Sequence, residues 1–414
     1  MKKLITFFFL LLIYFPCRSQ IMNSFTSKQT FIKVDGQNLI KPNGEKLLIK
    51  GINLGNWLNP EGYMFSFKGA NSARLIDQAI REMVGPDAAN LFWKEFKDNY
   101  VTREDINYIK KTGMNSIRLP FHYKLFTDED YLGLTNNQDG FSRIDSLVEW
   151  CRSAGLYIIL DMHDAPGGQT GDNIDDSYGY PWLFTSKESQ EKYCEIWKKI
   201  ANHYKNEPVI LGYDLLNEPL APYFNNMDEL NKKLEPIYKM AVKAIREVDK
   251  NHIVILGGAQ WDGNFKVFND SKFDSNMMYT CHRYWCDTLQ TNLQDLIDFR
   301  NKVNLPLYMG ETGENTDTWV ESFRKLMERN NMGWHFWPYK KLDSKSCMVQ
   351  IKEPENWELL MKFVDQPRTN FKQIRDARPD QELVKKALNE FIKNSKFKYC
   401  TKNEGYIKAL GMNP

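Results

Sequence analysis

The sequence has no excess of charge of either sign and, beyond its first residues, no long hydrophobic run. Lys and Arg total 55 against 53 Asp and Glu, which leaves a formal net charge of +2 over 414 residues. This balance gives no electrostatic basis for binding nucleic acid or an anionic membrane surface. The sequence also contains no linker, internal repeat or low-complexity tract. One soluble domain with elaborate loops is therefore the simplest organisation.

The N-terminal residues are typical of an export signal. Two lysines precede an apolar run at 4–15, which is too short to span a bilayer, and small residues follow at 17–19. We therefore expect residues 1–19 to be a signal peptide and the mature protein to be secreted or periplasmic. Lipid anchoring through Cys17 is the alternative, but bulky residues at 14–16 stand where small ones usually precede a lipidated cysteine.

The cysteines do not follow any zinc-binding spacing. Removal of the signal leaves six of the seven: Cys151, Cys194, Cys281, Cys286, Cys347 and Cys400. An even number in an exported protein permits disulfides. A chain of this size does not need covalent cross-links, so buried free thiols are the favoured reading. We expect no required cofactor or metal.

Apolar strand-like runs alternate with amphipathic helices along most of the chain. After a predicted β-hairpin that begins near residue 31, the pattern predicts eight strands, at 47–53, 116–120, 157–163, 210–218, 252–258, 277–282, 306–311 and 333–337. Helices between strands imply parallel pairing, and eight such units close into a (β/α)8 TIM barrel. We assign 31–395 to one catalytic domain of this α/β class and 396–414 to a C-terminal tail.

Polar side chains stand where the predicted strands end. In a barrel of this kind the carboxyl ends of the strands form the active site. Two carboxylates on opposite strands, with an arginine and aromatic rings around them, suit cleavage of a glycosidic bond. A tryptophan face would match the flat apolar side of a sugar ring. The residues at the strand ends are Asn53, Asn56, Arg118, Asp161, His163, Asn217, Glu218, His282, Tyr284, Glu311 and Trp337.

Several motifs in this order make the resemblance to a family specific. The segments "IRLP", "LDMHDAPGGQTG", "LLNEP", "CHRYW", "YMGETG" and "GWHFWPYK" resemble glycoside hydrolase family 5, over residues 51–337. Within that family, "GINLGNWL" and "HDAPGGQTG" are most similar to the exo-β-1,3-glucanase branch. That branch commonly has glycine where this chain has Asp164, and the departure puts carry-over of substrate specificity in doubt.

The resemblance implies a role for each matched residue. Glu218 would be the general acid/base and Glu311 the nucleophile of a retaining mechanism, with their carboxyl groups about 5–5.5 Å apart. Arg118 and Tyr284 would keep Glu311 ionised, and His282 would contact Glu218 or the substrate. The implied −1 subsite consists of Asn217 at the sugar 2-hydroxyl, His163 at other hydroxyls, and Trp337 as a platform with one exposed face.

The remaining candidate features carry weaker functional readings. The other histidines, at 122, 203, 252 and 335, lack strand-end context and read as surface or packed residues. The glycine-rich segment 165–171 lacks the spacing of a phosphate-binding loop and reads as a substrate-lining loop. Long loops at 59–100 and 168–182 could close one end of the cleft, which favours exo-action.

We expect a monomer that binds a β-linked oligo- or polysaccharide and no nucleic acid. The leading function is a secreted retaining β-glycosidase, similar to an exo-β-1,3-glucanase, that acts on a β-glucan or β-glucoside. An endo-β-1,4-glucanase or β-mannanase is the alternative within the family. A non-catalytic carbohydrate-binding barrel is the alternative from another class, although such proteins typically lose a catalytic carboxylate and both are present here.

Overall fold

Eight parallel strands close into a barrel in the computed structural model, which describes residues 31–172 and 174–414. A small antiparallel sheet precedes the barrel, with strands β1 (Lys33–Asp35), β2 (Asn38–Ile40) and β3 (Lys46–Leu47). The barrel strands are β4 (Lys50–Asn53), β5 (Ser116–His122), β6 (Tyr157–Asp164), β7 (Ile210–Asp214), β8 (Ile253–Gly257), β9 (Met277–His282), β10 (Leu307–Glu311) and β11 (Trp334–Phe336). Pairing of β11 with β4 closes the ring, so the predicted (β/α)8 barrel is confirmed. The predicted signal segment lies outside the described residues.

Helices lie between the strands, and more follow the barrel. They are α1 (Ala73–Val84), α2 (Pro86–Asn99), α3 (Arg103–Thr112), α4 (Asp139–Ala154), α5 (Lys187–Tyr204), α6 (Met227–Arg246), the short turn α7 (Ala259–Asp262), α8 (Thr291–Val303), α9 (Asp317–Arg329), α10 (Trp357–Val364), α11 (Phe371–Ala377), α12 (Gln381–Ser395) and α13 (Glu404–Ala409). Their ends carry ordinary signals: Thr102 forms a capping box with Asp105 at the start of α3, and left-handed Gly113 follows its end.

The fourth barrel strand ends earlier than its apolar run predicts. The run to residue 218 predicts one strand, but β7 ends at Asp214, and beyond it the Leu215 and Asn217 N–H groups still donate to the backbones of β8 and β6. Glu218 has a left-handed φ of 44°, which a strand residue does not adopt. Buried apolar residues alone therefore do not show where a strand gives way to a site loop.

The amino-terminal hairpin closes one end of the barrel interior. Ile32, Leu39 and Leu47 pack with inward-facing apolar residues near the starts of the barrel strands, among them Leu211 and Met278. Burying these side chains at that end removes apolar area from water and stabilises the closed ring. The carboxyl ends of the strands remain as the mouth in which polar groups gather.

The long first connection and the residues after the barrel pack on each other. Helices α1 and α2 contact α12, and the Phe391 ring of α12 lies 4.9 Å from Trp357 and 5.3 Å from Phe65 between ring centroids. Residues 396–414, which the sequence pattern sets apart as a tail, contain β14 (Thr401–Lys402), paired with β13 (Val349–Ile351) beside β12 (Lys340–Leu342). They also contain α13, which packs on α9.

Two further properties of the described residues are the state of the cysteines and whether any helix could cross a membrane. All six cysteines after residue 30 are free thiols, and Cys151, Cys281 and Cys347 are buried. Burial raises the pKa of the Cys400 thiol, which keeps it protonated and unreactive at neutral pH. Across 31–172 and 174–414, every helix is too short or too polar to cross a membrane.

Candidate active site

Arg118 lies at the centre of the barrel mouth and joins five polar side chains. Its Nε donates to Asp214 Oδ2 at 2.8 Å, its Nη1 to Glu311 Oε1 at 2.5 Å, and its Nη2 to Asn217 Oδ1 at 2.9 Å. Nη1 also donates to Asn53 Oδ1 at 3.1 Å, and Nη2 lies 3.1 Å from Asp161 Oδ1. Burial opposes the positive charge, but the three carboxylates hold the pKa of Arg118 well above its usual value. A permanent cation therefore fixes the ends of four barrel strands relative to one another.

Glu311 ends β10 and has a donor on each carboxylate oxygen. Arg118 donates to Oε1, and the Tyr284 hydroxyl donates to Oε2 at 3.1 Å. Burial raises the pKa of Glu311, while His282, Arg118 and His163 act against that rise. Donors that bind the ionised form favour it. The result is an oriented carboxylate at the base of the mouth.

Glu218 lies in the loop after β7 with quite different partners. Its backbone N–H donates to Asp262 Oδ2 at 3.2 Å, and its Oε1 lies 2.9 Å from His282 Nδ1. Burial raises the pKa of Glu218 to about 7, against the charges of His163 and Arg118. Burial also lowers the pKa of His282 to about 3, so its ring is neutral. Beside a neutral partner, Glu218 can hold a proton near neutral pH.

The two glutamates are close enough to act on one bond. One carboxylate oxygen of Glu218, one of Glu311 and a ring nitrogen of His282 all lie within 4.8 Å of one another. Two carboxyl groups that act with retention of configuration are about 5–5.5 Å apart, whereas inversion needs about 6.5–9.5 Å to admit a water molecule. The spacing suits a carboxylate that attacks the sugar directly.

His163 and Asn217 lie side by side in the same mouth. His163 Nδ1 is 2.7 Å from Asp161 Oδ2, and its Nε2 is 3.3 Å from Asn217 Nδ2. Although burial opposes it, the Asp161 carboxylate raises the pKa of His163 well above its usual value. Both expected hydroxyl-binding groups are therefore held in place before a ligand arrives.

Trp337 departs from the expected platform because its ring is buried. Only 2% of Trp337 is exposed. The His163 ring stacks on it with 5.6 Å between centroids and 7° between planes, and a Cβ at Gly55 would come within 2.5 Å of its indole. Its Nε1 donates to the Tyr63 hydroxyl. The expectation of a free ring face is wrong, since the His163 side chain of β6 and the backbone at Gly55 cover the ring.

Three acids at the site escaped the sequence reading: Asp214, which accepts from Arg118 Nε, and the loop residues Glu61 and Asp262. Glu61, in the loop after β4, is 4% exposed, and its Oε1 has no hydrogen-bond partner among the described residues but lies 3.6 Å from His163 Nε2. Asp262, after β8, is fully buried, and its Oδ2 lies 3.4 Å from His282 Nε2. Burial raises the pKa of the Glu61 and Asp262 carboxyl groups. Glu61 stands inside a loop and offers no periodic signal, whereas Asp262, five residues beyond Gly257 at the end of β8, could have been found as a further strand-end acid.

Asp164, which stands where the exo-β-1,3-glucanase branch commonly has glycine, has structural partners that account for an acid at this position. Asp164 Oδ2 lies 3.0 Å from His122 Nε2 and accepts the Asp176 backbone N–H at 2.7 Å. Asp176 Oδ2 lies 3.1 Å from the same His122 nitrogen. Asp175 in turn accepts the backbone N–H of Thr170 at 2.7 Å. These buried bonds hold the glycine-rich loop after β6 in one conformation.

The remaining histidines lie away from the two glutamates, as the sequence reading expects. His203 is hydrogen-bonded to Asp145 near the surface. His252 is buried with its Nδ1 2.5 Å from Asp249 Oδ2, and His335 is buried against the Ser116 hydroxyl. All three are accounted for by packing and hydrogen bonding.

Three groups of the described residues bring a histidine and two carboxylates within 4.8 Å, as metal ligands would. Two of these groups contain Glu311, which the Arg118 guanidinium already contacts, so a cation there would share the carboxylate with a buried positive charge. The third group is His122 with Asp164 and Asp176. The Nδ1 atom of His122 accepts the Lys124 backbone N–H, so the Nε2 atom of His122 carries the proton that the two carboxylates share. The expectation that no metal is required stays a prediction.

One carboxylate oxygen of Glu218 and one of Glu311 lie within 4.8 Å of each other at the mouth of a (β/α)8 barrel, an arrangement that suits hydrolysis of a glycosidic bond. The sequence profile of cellulase (glycosyl hydrolase family 5) matches residues 77–343. The chain belongs to glycoside hydrolase family 5 and is a hydrolase of O-glycosidic bonds.

The curated relatives include a β-xylosidase, an endoglucanase and a probable glucan 1,3-β-glucosidase. The chain is 31% identical over 256 residues to a β-xylosidase of Phanerodontia chrysosporium, with 61% of this chain and 52% of that protein covered, so the match spans about half the relative's length. It is 28% identical over 331 residues to endoglucanase C of Acetivibrio thermocellus, with 65% and 92% covered. It is 25% identical over 296 residues to the probable glucan 1,3-β-glucosidase A of Aspergillus clavatus, with 66% and 67% covered.

Solved structures agree on the fold. The crystal structure of rutinosidase from Aspergillus niger superposes with a TM-score of 0.57 at 19% identity, covering 71% of this chain and 90% of that one. At that identity the likeness shows a shared barrel and says nothing of the substrate.

Proposed function

We propose that the protein is an exported retaining β-glycosidase that removes sugar units from a β-glucan, in the manner of an exo-β-1,3-glucanase. The observation that carries the proposal is the pair Glu218 and Glu311, which lie within 4.8 Å and differ in their partners. An ionised carboxylate next to Arg118 fits the nucleophile, and a carboxyl group of pKa about 7 next to neutral His282 fits the acid/base.

In the first step Glu311 attacks the anomeric carbon while Glu218 donates its proton to the glycosidic oxygen. The bond between the anomeric carbon and that oxygen breaks, the leaving sugar departs as an alcohol, and Glu311 becomes a glycosyl ester. The ester has no negative charge, so the environment of Glu218 becomes less negative and its carboxyl group ionises more readily.

In the second step Glu218 accepts a proton from water, whose oxygen attacks the anomeric carbon from the side that the leaving group vacated. The ester bond breaks, Glu311 regains its charge beside Arg118, and the sugar is released with its original configuration. Arg118 and Tyr284 oppose protonation of Glu311 throughout the cycle because both donate to its oxygens.

Exo-action is supported by the closure of the mouth on one side. Glu61, Tyr63, His163 and Trp337 meet there and are all buried or nearly so, which leaves little room for a chain to continue past the first sugar. The similarity to the probable glucan 1,3-β-glucosidase A also favours this mode. The residues around Glu61 would then bind the hydroxyls of a chain end.

Endo-action on a β-1,4-glucan is the second candidate, favoured by the similarity to endoglucanase C over 92% of that protein's length. The two modes differ in their products. We expect β-1,3-glucan to yield only monosaccharide at early times, whereas a mixture of oligosaccharides from β-1,4-glucan or mannan would support the second candidate.

The decisive experiment compares wild type with Glu218→Gln and Glu311→Gln on β-1,3-, β-1,4- and β-1,6-glucans and mannan. Glu321→Gln is the matched control, since Glu321 is half-exposed on α9 and paired only with Lys325. We expect both site variants to lose activity by several powers of ten and the control to match wild type. No hydrolysis of any β-glycoside by wild type would overturn the proposed function.

Export is proposed from the charged and apolar residues at the N-terminus. Sequencing the N-terminus of the mature protein from the culture medium or periplasm should find a start close to residue 20. A mature start at lipid-modified Cys17 would support anchoring instead.

A further inference from the structure

The glycine-rich loop after β6 is hydrogen-bonded to the backbone of the loop that carries Glu218. Thr170 Oγ1 donates to the Glu218 carbonyl at 2.8 Å, and Gln169 Nε2 donates to the Asn217 carbonyl at 2.9 Å. Two backbone N–H groups just beyond Glu218 donate in the other direction, to the carbonyls of Gln169 and Thr170, at 2.9 and 3.0 Å. Both Gln169 and Thr170 are buried. The backbone around the proposed acid is therefore tied to this loop on both sides of Glu218.

The backbone at Glu218 is in a conformation that its surroundings must hold. Glu218 and Leu220 have φ of 44° and 64°, in the left-handed region that residues other than glycine rarely adopt. Such strain persists only where neighbouring groups fix it. The Glu218 side chain leaves the chain at one of these two residues, so a shift of this backbone would move its carboxyl group.

Asp175 holds the other side of the glycine-rich loop. Its buried carboxylate accepts the Thr170 N–H at 2.7 Å and the Gly171 N–H at 3.2 Å, both at Oδ2. The loop lies tightly against this part of the chain, since a Cβ at Gly168 would come within 2.3 Å of Ser177 Cβ. Thr170 thus has its N–H bound by Asp175 while its hydroxyl is bound to the Glu218 carbonyl.

A buried cluster at the end of β5 fixes the segment that contains Asp175. Asp164 Oδ2 accepts the Asp176 N–H at 2.7 Å and lies 3.0 Å from His122 Nε2. Asp176 Oδ2 lies 3.1 Å from the same nitrogen, and Asp176 Oδ1 accepts the Arg74 N–H at 2.9 Å. Because Asp175 precedes Asp176 directly, the bond from Asp164 also limits where the Asp175 carboxylate can lie.

We propose that Asp164 is a positioning residue for Glu218, acting through residues 175–176 and the glycine-rich loop. This inference rests on the proposed function, because it takes Glu218 as the acid. Asp164 stands where the branch that the chain resembles commonly has glycine, which has no side chain to accept these bonds. Removal of the Asp164 carboxylate should therefore affect most those substrates whose cleavage needs a well-placed proton donor.

The test compares two substrates that share the glucosyl group transferred to Glu311. One is the β-linked glucose oligosaccharide that wild type cleaves best, whose leaving oxygen needs a proton. The other is 2,4-dinitrophenyl β-glucoside, whose leaving oxygen does not. The measured quantity is the ratio of kcat/KM for the oligosaccharide to kcat/KM for the dinitrophenyl glucoside. We expect Asp164→Ala to lower this ratio about ten- to a hundred-fold, since a misplacement of about 1 Å can cost about a hundred-fold in rate. Asp164→Asn keeps an oxygen that can accept the same bonds and should lower the ratio less.

Substitutions at Thr170 test the path from Asp164 to the acid. Thr170→Val removes the hydroxyl that binds the Glu218 carbonyl at nearly constant size and should also lower the ratio, whereas Thr170→Ser keeps the hydroxyl and should retain it. Asp164→Ala and Thr170→Val combined should lower the ratio by less than the product of their separate effects, because both act on one contact. A combined effect equal to that product would overturn the path. Thr170→Val leaves the buried cluster unchanged and carries the test if Asp164→Ala does not fold.

The matched control is Asp145→Ala, which removes a carboxylate from another histidine contact. Asp145 is exposed on α4 and pairs with His203, away from the two glutamates, so the ratio should stay at the wild-type value. Equal losses with both substrates in the Asp164 and Thr170 variants would overturn the inference, because the cluster would then only support folding. An unchanged ratio in those variants would overturn it as well. Failure of wild type on either substrate would instead overturn the proposed function, which is a separate result.

Discussion

The pH dependence of glycoside cleavage offers the sharpest test of the Glu218 assignment. Glu218 must be protonated to act as the acid, and burial raises its pKa to about 7. A group of that pKa is about half protonated at pH 7 and about 1% protonated at pH 9. For a substrate whose leaving group is a sugar, kcat/KM should therefore fall about fifty-fold between pH 7 and pH 9.

The pH dependence of kcat/KM has the opposite sign for Glu311, because Glu311 must be ionised to attack. Burial raises the pKa of Glu311 above its usual value, so kcat/KM should also fall as the pH drops through that value. The expected profile is a bell with its basic limb from Glu218 and its acidic limb from Glu311.

Leaving-group chemistry identifies which limb belongs to the acid. A 2,4-dinitrophenyl β-glucoside needs no proton at its leaving oxygen, so its basic limb should flatten while the acidic limb remains. Glu218→Gln should likewise remove the basic limb from whatever activity it keeps, and Glu321→Gln should leave the bell intact. An identical basic limb for both substrates would mean that the titrating group is not the proton donor.

Five substitutions extend the test to the rest of the site. Glu311→Ala should abolish turnover, with azide restoring an α-glycosyl azide; Glu218→Ala should keep slow cleavage of good leaving groups, with azide giving the β-product. Azide products of the opposite configurations would mean that the two roles are reversed. Arg118→Lys should shift the acidic limb upward by about 1 pH unit, because one contact of a fixed fork is lost; an unshifted limb contradicts this. His122→Phe should lower the free energy of unfolding by about 3–5 kcal/mol in urea titrations, since it leaves Asp164 facing another acid, and added Asp164→Asn should recover part of the loss.

Much of the fold follows from sequence because it depends on local period and on closure. Eight apolar runs separated by amphipathic helices leave few topologies, and the right-handed crossover selects the barrel. The end of β7 is different. Its apolar run continues through Leu215 and Leu216, and Glu218 then adopts a left-handed conformation in which its N–H donates to Asp262, a contact 44 residues distant in sequence.

The site residues likewise divide into those that the sequence predicts and those that it does not. Glu218, Glu311, Arg118 and Tyr284 could be predicted together because strand ends in a closed barrel converge on one mouth. The burial of Trp337 could not be predicted from the sequence, because it depends on neighbours contributed by other strands and their loops. Glu61 was missed because its burial beside His163 is a property of loop conformation and leaves no period in the sequence, whereas Asp262 lies close enough to the end of β8 to have been found.

The proposed division of labour between the two glutamates follows from their neighbours rather than from their burial. Both carboxyl groups are drawn from water, which raises both pKa values. The Glu311 carboxylate accepts from the Arg118 guanidinium at 2.5 Å and from the Tyr284 hydroxyl at 3.1 Å. The Glu218 side chain instead lies 2.9 Å from the neutral imidazole of His282. His282 is neutral because it is buried, and Asp262 behind it also titrates well above its usual pKa. An ionised Asp262 would favour a charged His282, and a charged His282 would draw the proton from Glu218. Burial of Asp262 thus protects the proton that the first step of the proposed reaction uses.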